Sequence, residues 1–270
     1  MTSLRDVKSW CIESGFHPNK VLGQNFLIDR NVLVAIVDAG FAGREAKGLR
    51  VLEIGPGLGV LTEEMLSRGA LVTAIEKDHD LASRLAASLG GPQGLKVVEA
   101  DALDWIGAGG GAGAFDSMVS NLPYQAGTRI LMELVGRREI PSMTVLLQSE
   151  VAERLAAKEG SKTRSLAGVW AQLDYDVRIV RRVSAGCFWP RPAVGSAVAV
   201  LTRHDRNAAL SEEVRREFRR ITKQAFEHRR KQLGTVFRGI VESTARAEEL
   251  SNGEWTALAA DLSARPRNMV

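Results

Sequence analysis

The chain has 270 residues, of which 45% are hydrophobic and 25% charged, and its net charge is +4. This length suits one large domain, or one medium domain with a small appendage, and the composition provides enough apolar residues for a real core. No stretch approaches the roughly 18 uninterrupted apolar residues of a membrane helix, and the charged N-terminus argues against an export signal. We therefore expect an unexported, cytoplasmic protein without a membrane partner.

Alternating apolar runs and helical periods predict an α/β fold with a parallel sheet. Five short apolar runs between residues 50 and 148 are separated by segments whose apolar residues recur at helical spacing. Such a series folds as βαβ units with right-handed crossovers. Two later runs, joined by a proline-rich loop, bring the expected mostly parallel sheet to seven strands. The predicted strands are "RVLEI" (50–54), "LVTAI" (71–75), "LKVVE" (95–99), "FDSMV" (115–119), "MTVLLQ" (143–148), "VRIVRRVS" (177–184) and "SAVAVLTRH" (196–204).

The first predicted strand runs into a glycine-rich turn, "VLEIGPGLGVLT", residues 51–62. Gly55, Gly57 and Gly59 allow the backbone and the first N–H groups of the next helix to approach a ligand closely. The dinucleotide fingerprint G-x-G-x-x-G needs a glycine where this chain has Val60, which disfavours an NAD site. A glycine turn between a strand and a helix is also often purely structural.

Polar residues stand at the ends of the next three predicted strands: Glu76, Asp101 and Asn121. A carboxylate after the second strand can accept both ribose hydroxyls of a nucleoside. Singly, such residues are usually helix caps or solvated turn residues. Together at one sheet edge they indicate a nucleoside site without diphosphate recognition. Beside the "NLPY" corner at 121–124, this points to S-adenosyl-L-methionine (SAM) and to methylation of an amine.

The "NLPY" corner explains how a weak nucleophile could be methylated. The lone pair of the adenine amine is delocalised into the ring. If the Asn121 amide oxygen and the Leu122 carbonyl accept its two N–H protons, the nitrogen becomes more tetrahedral and its lone pair can face the methyl group. Pro123 fixes φ and helps hold that carbonyl, and Tyr124 can stack on the base to position it. The methylated ammonium is strongly acidic, so no general base is required.

Positive charge is concentrated near the C-terminus. From Glu212 to Arg238 the chain has nine Lys/Arg against four Glu, an excess larger than that of the whole chain. An apolar stripe at helical spacing crosses this segment, formed by Val214, Phe218, Ile221 and Ala225. A solvated amphipathic helix is one interpretation, and contact with RNA phosphates, which the arginine excess favours, is the other. The predicted RNA-binding residues are Arg215, Arg216, Arg219, Arg220, Lys223, Arg229, Arg230 and Lys231.

A domain boundary is predicted in the polar stretch "RHDRNAALSEE", residues 203–213. Its Ser211 suits a helix N-cap followed by two glutamates in the first turn. Residues 1–205 are therefore expected to form a SAM-binding catalytic domain, and residues 206–270 a small, basic, helical RNA-docking domain. Cys11 and Cys187 lack a partner pattern, so neither a disulfide nor a metal site is expected.

In order along the chain, these motifs resemble the KsgA-type ribosomal RNA small-subunit adenine dimethyltransferases. The segments that carry the resemblance are "HPNKVLGQNFLIDRNVL" (17–33), "EIGPGLGVLT" (53–62), "AIEKD" (74–78), "DALDW" (101–105), "NLPYQ" (121–125), "LLQSEVAERLAAKEGSKTRSLAGVWAQ" (146–172), "FWPRPAVGSAVAVL" (188–201) and "AFEHRRKQL" (225–233). The resemblance implies a class I, Rossmann-like methyltransferase fold with a small C-terminal helical domain. It also implies SAM as the cofactor and dimethylation, at N6, of two adjacent adenines near the 3′ end of small-subunit rRNA during ribosome biogenesis.

The resemblance further implies roles for individual residues. Gln24, Asn25 and Leu27 would close over SAM. The residues expected to contact the cofactor are Gly55, Gly57, Glu76, Asp101 and Asn121. Phe188 would stack on a flipped target base opposite Tyr124; from the residues alone, Phe188 and Trp189 could equally anchor their loop on the core.

Departures from the family pattern concern the choice of target and completion of the second methylation, and not SAM binding. Ser149 stands where lysine is common, and Arg164 and Ser165 stand where a Tyr-Gly pair is usual. Three alternatives remain: a large-subunit rRNA methyltransferase of the antibiotic-resistance type, a DNA adenine methyltransferase, and a mainly noncatalytic ribosome-assembly factor that retains a SAM site. The match at "AFEHRRKQL" and the leucine at 122 favour the small-subunit enzyme. The expected partner is small-subunit rRNA within a pre-ribosomal small subunit, and a monomer is expected.

Overall fold

A computed structural model describes residues 3–19, 23–111 and 113–265. Residues 20–22, which belong to one of the segments quoted above, lie outside this part. The helices are α1 Leu4–Ser14, α2 Arg30–Phe41, α3 Val60–Ser67, α4 His79–Ser88, α5 Ala102–Gly107, α6 Gly127–Arg137, α7 Ser149–Ala156, α8 Leu166–Asp174, α9 Glu212–Glu227, α10 Leu233–Val236 and α11 Asn252–Ala264. The strands are β1 Phe26–Leu27, β2 Arg50–Ile54, β3 Leu71–Glu76, β4 Leu95–Glu99, β5 Ser117–Asn121, β6 Ser142–Gln148, β7 Tyr175–Val183, β8 Phe188–Trp189 and β9 Ser196–Arg203.

The main sheet has seven strands in the order β4-β3-β2-β5-β6-β9-β7. The pairs from β4 to β6 are parallel, whereas β9 runs antiparallel to β6, with Ser142 opposite Thr202 and Gln148 opposite Ser196. This confirms the predicted α/β fold with a mostly parallel sheet. The strand order reverses between β2 and β5, which is where ligands bind in open sheets of this kind.

Helices cover the sheet because its central strands are apolar on both faces. The buried core includes Val51 and Val72 from the strands and Ile36 and Met65 from α2 and α3. Gly40 of α2 lies so close to β5 that a Cβ atom there would be 2.3 Å from Val119 Cγ2. The close approach of α2 to the sheet therefore depends on the absence of a side chain at residue 40.

The chain divides into two compact units. One contains the residues up to Ala152 together with Arg178–Arg203, and the other contains Glu153–Val177 together with the residues from His204 onward. Residues 153–177, which the sequence placed in the domain 1–205, therefore belong with the C-terminal helices. The reason is a shared core, since Val169 and Leu173 of α8 pack in one cluster with Phe218 of α9.

The helical unit is stabilised by helix caps and by an apolar core. Ser211 caps α9 by accepting from the Val214 N–H, as predicted, and Ser251 forms a capping box with Glu254 at the start of α11. Trp255 of α11 is fully buried in the cluster that contains the α9 stripe. In the part of the chain that the structure describes, no helix has the length and apolar character needed to cross a membrane.

Candidate active site

A cavity of about 320 Å³ lies where β2, β3 and β5 end, in the unit that contains the sheet. It is formed by the N-terminal segment around β1, by the turn after β2, and by the ends of β3 and β5. Its volume is in the range of sites for small-molecule cofactors. The predicted residues that line it are Gln24, Asn25, Leu27, Gly55, Gly57, Glu76, Asp101, Asn121, Leu122, Pro123 and Tyr124.

The glycine turn forms one wall of the cavity. Gly55 has φ +68°, and a Cβ atom there would lie 3.7 Å from the Pro123 ring. Gly57 has φ +57°, and a Cβ atom there would lie 3.2 Å from the Phe26 ring. Both conformations favour glycine. The turn therefore leaves its backbone open to a bound molecule.

Glu76 is the last residue of β3 and is 7% exposed. Its Oε1 accepts from the N–H groups of Lys77 and Asp78, both at 2.9 Å, and Oε2 accepts from the Gly57 N–H at 3.1 Å. Burial raises the pKa of Glu76, and these three backbone hydrogen bonds partly offset the effect. A carboxylate has about four acceptor positions. One on Oε2 therefore remains for a ribose hydroxyl, and a second hydroxyl would have to share or displace an N–H group.

Asp101 caps α5 by accepting from the Leu103 N–H at 2.8 Å. Its other carboxylate oxygen accepts from Lys77 Nζ, also at 2.8 Å. The hydrogen bond from Lys77 is the main cause of a lowered pKa at Asp101. Asp101 is therefore a fixed, ionised acceptor at the cavity wall.

The N-terminal segment is tied to the cavity by polar side chains. Gln24 Nε2 donates to Asp78 Oδ2 at 2.8 Å, and Asn121 Nδ2 donates to the Asn25 carbonyl at 3.2 Å. Leu27 lies in the two-residue strand β1, which pairs with β8 and was not predicted. The segment thus lies beside both the end of β3 and the "NLPY" corner.

Asn121 ends β5, and its Nδ2 bond to Asn25 leaves the amide oxygen as an acceptor. The Leu122 side chain is buried, and its N–H donates to the Leu146 carbonyl at 3.2 Å. Among the described residues, the Leu122 carbonyl receives no hydrogen bond. The Tyr124 hydroxyl lies 2.6 Å from Ser196 Oγ, which fixes the ring, and burial raises its pKa. The corner therefore presents two acceptors and a fixed aromatic ring.

The structure does not place Phe188 where the base-stacking prediction requires. Its ring is 2% exposed, lies in the core cluster, and does not line the cavity. In the β1–β8 pair Phe188 is opposite Leu27. The alternative, in which Phe188 anchors the proline-rich loop on the core, agrees with this position.

Glu53 is among the cavity-wall residues that the sequence did not predict. It is 1% exposed in β2, and its Oε2 accepts from the Thr62 hydroxyl at 2.6 Å. Burial raises the pKa of Glu53 to about 8; the Thr62 hydrogen bond lowers it in part, and the charge of Glu76 raises it further. A glutamate between the apolar residues Leu52 and Ile54 of a predicted buried strand was the available signal.

The basic helix α9 differs from the prediction at Arg215. Arg215 is 5% exposed, and its Nη1 lies 2.8 and 3.0 Å from the two carboxylate oxygens of Asp174. It also donates to the Asn207 carbonyl. Its predicted role as an exposed RNA contact is therefore wrong, because Arg215 points into the helical unit and neutralises a buried carboxylate.

The other predicted basic residues differ in how much of their charge is available. Arg220 is exposed but paired with Glu217 at 2.6 Å, and Arg229 is partly buried beside Glu248 at 3.3 Å. Five of the predicted cations are exposed and form no ion pair among the described residues: Arg216, Arg219, Lys223, Arg230 and Lys231. Among the described residues, no group of three His, Cys, Asp or Glu side chains is placed to hold a metal ion.

Comparison with known proteins decides the family. Residues 15–253 match the family model of ribosomal RNA adenine dimethylase. The chain belongs to the ribosomal RNA adenine dimethylase family. It is therefore a SAM-dependent rRNA adenine methyltransferase. The residues present fit this cofactor, because the backbone of a glycine turn and two carboxylates at the ends of neighbouring strands line the same cavity.

Named relatives agree with this family. "Ribosomal RNA small subunit methyltransferase A" of Magnetococcus marinus is 36% identical over 262 residues, covering 92% of each chain. The protein of that name from Deinococcus radiodurans is 45% identical over 195 residues, which is 72% of this chain and 65%, just under two thirds, of that protein.

Solved structures share the fold. A dimethyladenosine transferase from Plasmodium falciparum superposes with a TM-score of 0.75 at 22% identity, covering 88% of this chain and 97% of that one. The 23S rRNA methyltransferase ErmE has a TM-score of 0.66 at 23% identity, covering 88% of this chain and 99% of that one.

Proposed function

We propose that this enzyme transfers methyl groups from SAM to N6 of two adjacent adenines near the 3′ end of small-subunit rRNA, up to dimethyladenine. The observation that carries the proposal is that the "NLPY" corner and the nucleoside-type carboxylates line one cavity. The relatives named for small-subunit methylation support the choice of target. The likeness to a 23S rRNA enzyme supports the fold alone.

The cofactor is proposed to lie along the ends of β2, β3 and β5. Glu76 would accept a ribose hydroxyl through the acceptor position left on Oε2, and Asp101 would accept from the adenine amine of SAM. Gln24, Asn25 and Leu27 would cover it from the N-terminal side. SAM supplies the methyl group, and these residues orient the donor and exclude water.

The target adenine is proposed to bind at the "NLPY" corner. The amide oxygen of Asn121 and the carbonyl of Leu122 would accept the two protons of the target amine. Tyr124, held by its 2.6 Å contact with Ser196, would stack on the base. This is catalysis by positioning, since the corner offers acceptors and a ring but no base.

The exposed cations of α9 and of the turn after it are proposed to bind rRNA phosphates. Arg216, Arg219 and Lys223 lie on the exposed side of α9, and Arg230 and Lys231 follow it. Arg220 and Arg229 contribute less in this proposal because each has an acidic partner, and Arg215 contributes nothing. The proposed substrate is a pre-ribosomal small subunit, so the protein is expected to act in the cytoplasm. It is also expected to act as a monomer.

The proposal is tested by incubating the protein with labelled SAM and undermodified small or large ribosomal subunits, followed by mapping of modified adenines. We expect two adjacent dimethyladenines near the 3′ end of the small-subunit rRNA and none in the large subunit. Asn121→Ala is the matched inactive variant. Label in large-subunit rRNA, or none in either subunit, would contradict the proposal.

A further inference from the structure

Glu53 is a buried carboxyl group in the cofactor cavity that the proposed function does not use. It is 1% exposed, and the Thr62 hydroxyl at 2.6 Å is its hydrogen-bond partner. Among the described residues, no backbone N–H and no cationic side chain donates to it. Glu76, in contrast, receives three backbone N–H groups.

The charges around Glu53 do not favour its ionised form. Its neighbour β3 contributes the Glu76 carboxylate, which acts on Glu53 through its negative charge. The other neighbouring strand, β5, has no ionisable side chain, and α3 contributes only the Thr62 hydroxyl. The cation of the cavity wall, Lys77, is paired with Asp101 at 2.8 Å.

A buried carboxylate with one hydroxyl partner and a like charge nearby is costly, and such a group binds a proton instead. A positive charge brought into the same cavity reverses this preference. SAM carries a sulfonium cation, whereas its demethylated product, S-adenosylhomocysteine, has a neutral thioether. The two molecules therefore differ by one charge in the cavity that Glu53 lines.

We propose that Glu53 is protonated in the cofactor-free protein and ionises when SAM binds, so that its charge distinguishes SAM from S-adenosylhomocysteine. The carboxyl O–H bond breaks, the proton leaves to solvent, and the carboxylate balances the added positive charge. After methyl transfer the cofactor has a neutral thioether, which does not balance the negative charge of the Glu53 carboxylate. Glu53 therefore takes up a proton again. Glu53 is thus a specificity-determining residue that favours exchange of product for SAM.

Calorimetric titration of SAM and of S-adenosylhomocysteine between pH 6.5 and 8.5, in buffers of different ionisation enthalpy, tests the proposal. At pH 7 the wild-type protein should release more protons on binding SAM than Glu53→Gln does, by close to one per SAM. Its SAM affinity should rise roughly tenfold or more over this pH range relative to the variant. The amino group of the cofactor titrates equally in both proteins, so its contribution cancels when wild type and variant are compared. Glu63→Gln, on the exposed side of α3, should behave like wild type.

Infrared difference spectra of the wild-type protein make the test independent of the variant. SAM should remove the C=O band of a protonated carboxyl, and S-adenosylhomocysteine should leave it. Equal pH dependence in wild type and Glu53→Gln, or a band that SAM does not change, would overturn the proposal. The inference rests on SAM as cofactor, and absence of SAM binding even at pH 8.5 would refute that assignment instead.

Discussion

Arg215→Ala should destabilise the helical unit strongly, whereas Arg216→Ala should not. Arg215 is 5% exposed and forms a two-contact ion pair with Asp174, at 2.8 and 3.0 Å. Its removal leaves the Asp174 carboxylate, which is 7% exposed, without a counter-charge. Breaking a buried pair in this way costs about 3–5 kcal/mol. Arg216 is exposed, and its removal should change stability by less than about 0.5 kcal/mol.

Urea unfolding of the full chain, followed by circular dichroism, measures this difference. With a slope of about 1–3 kcal/mol/M, a loss of 4 kcal/mol moves the midpoint by more than about 1 M. Arg215→Met combined with Asp174→Leu should recover much of the loss, because two apolar residues leave no buried charge. A loss below about 1 kcal/mol for Arg215→Ala would refute the assignment of Arg215 to the core and restore it as a candidate RNA contact.

Four further predictions concern the cavity and the packing around it. Glu76→Ala should weaken SAM binding by about 2–3 kcal/mol, as expected for hydrogen bonds to a charged group, and calorimetry showing unchanged affinity would remove Glu76 from the site. Asn121→Ala should lower kcat far more than SAM affinity, because its contact is made with the reacting amine; near-normal turnover would exclude the proposed mechanism. Gly40→Ala should destabilise the protein by about 1–3 kcal/mol in thermal unfolding, since its Cβ would lie 2.3 Å from a methyl group of β5, and a neutral result would mean that α2 can shift. Finally, the pKa of Glu53 is about 8 in the folded protein, above its ordinary value, so between pH 5 and 8 the native state binds more protons than the unfolded state. The stability of wild type relative to Glu53→Gln should therefore fall as the pH rises through this window, and a constant difference in unfolding free energy would contradict the assignment.

Prediction from the sequence was most accurate for features that depend on a few neighbouring residues. Strands β2 and β4 match their predicted bounds, because short apolar runs between turn residues define a strand without reference to the rest of the chain. Glu76, Asp101 and Asn121 were found for the same reason: the carboxyl ends of parallel strands meet at one edge, so strand prediction alone brings these side chains together.

The failures concern contacts between residues far apart in sequence. The partner of Arg215 is Asp174, 41 residues earlier, and nothing near either residue shows the pairing. The spacing of Arg215 from Phe218, Thr222 and Ala225 does place it on the buried face of α9, a signal that the charge count obscured. The burial of Phe188 also depends on a distant partner, because Phe188 pairs with Leu27, and the residues alone therefore left both of its roles open.

The shared core of α8 with α9 and α11 has a consequence for the newly made chain. Val169 and Leu173 leave the ribosome before α9 and α11 exist, and these two helices supply the cluster that buries them. At about 5–20 residues per second, synthesis from Asp174 to Ala264 takes roughly five to twenty seconds. Throughout that interval α8 presents an apolar face that a chaperone can bind. This face is fully buried only when α11 has emerged and packed against it.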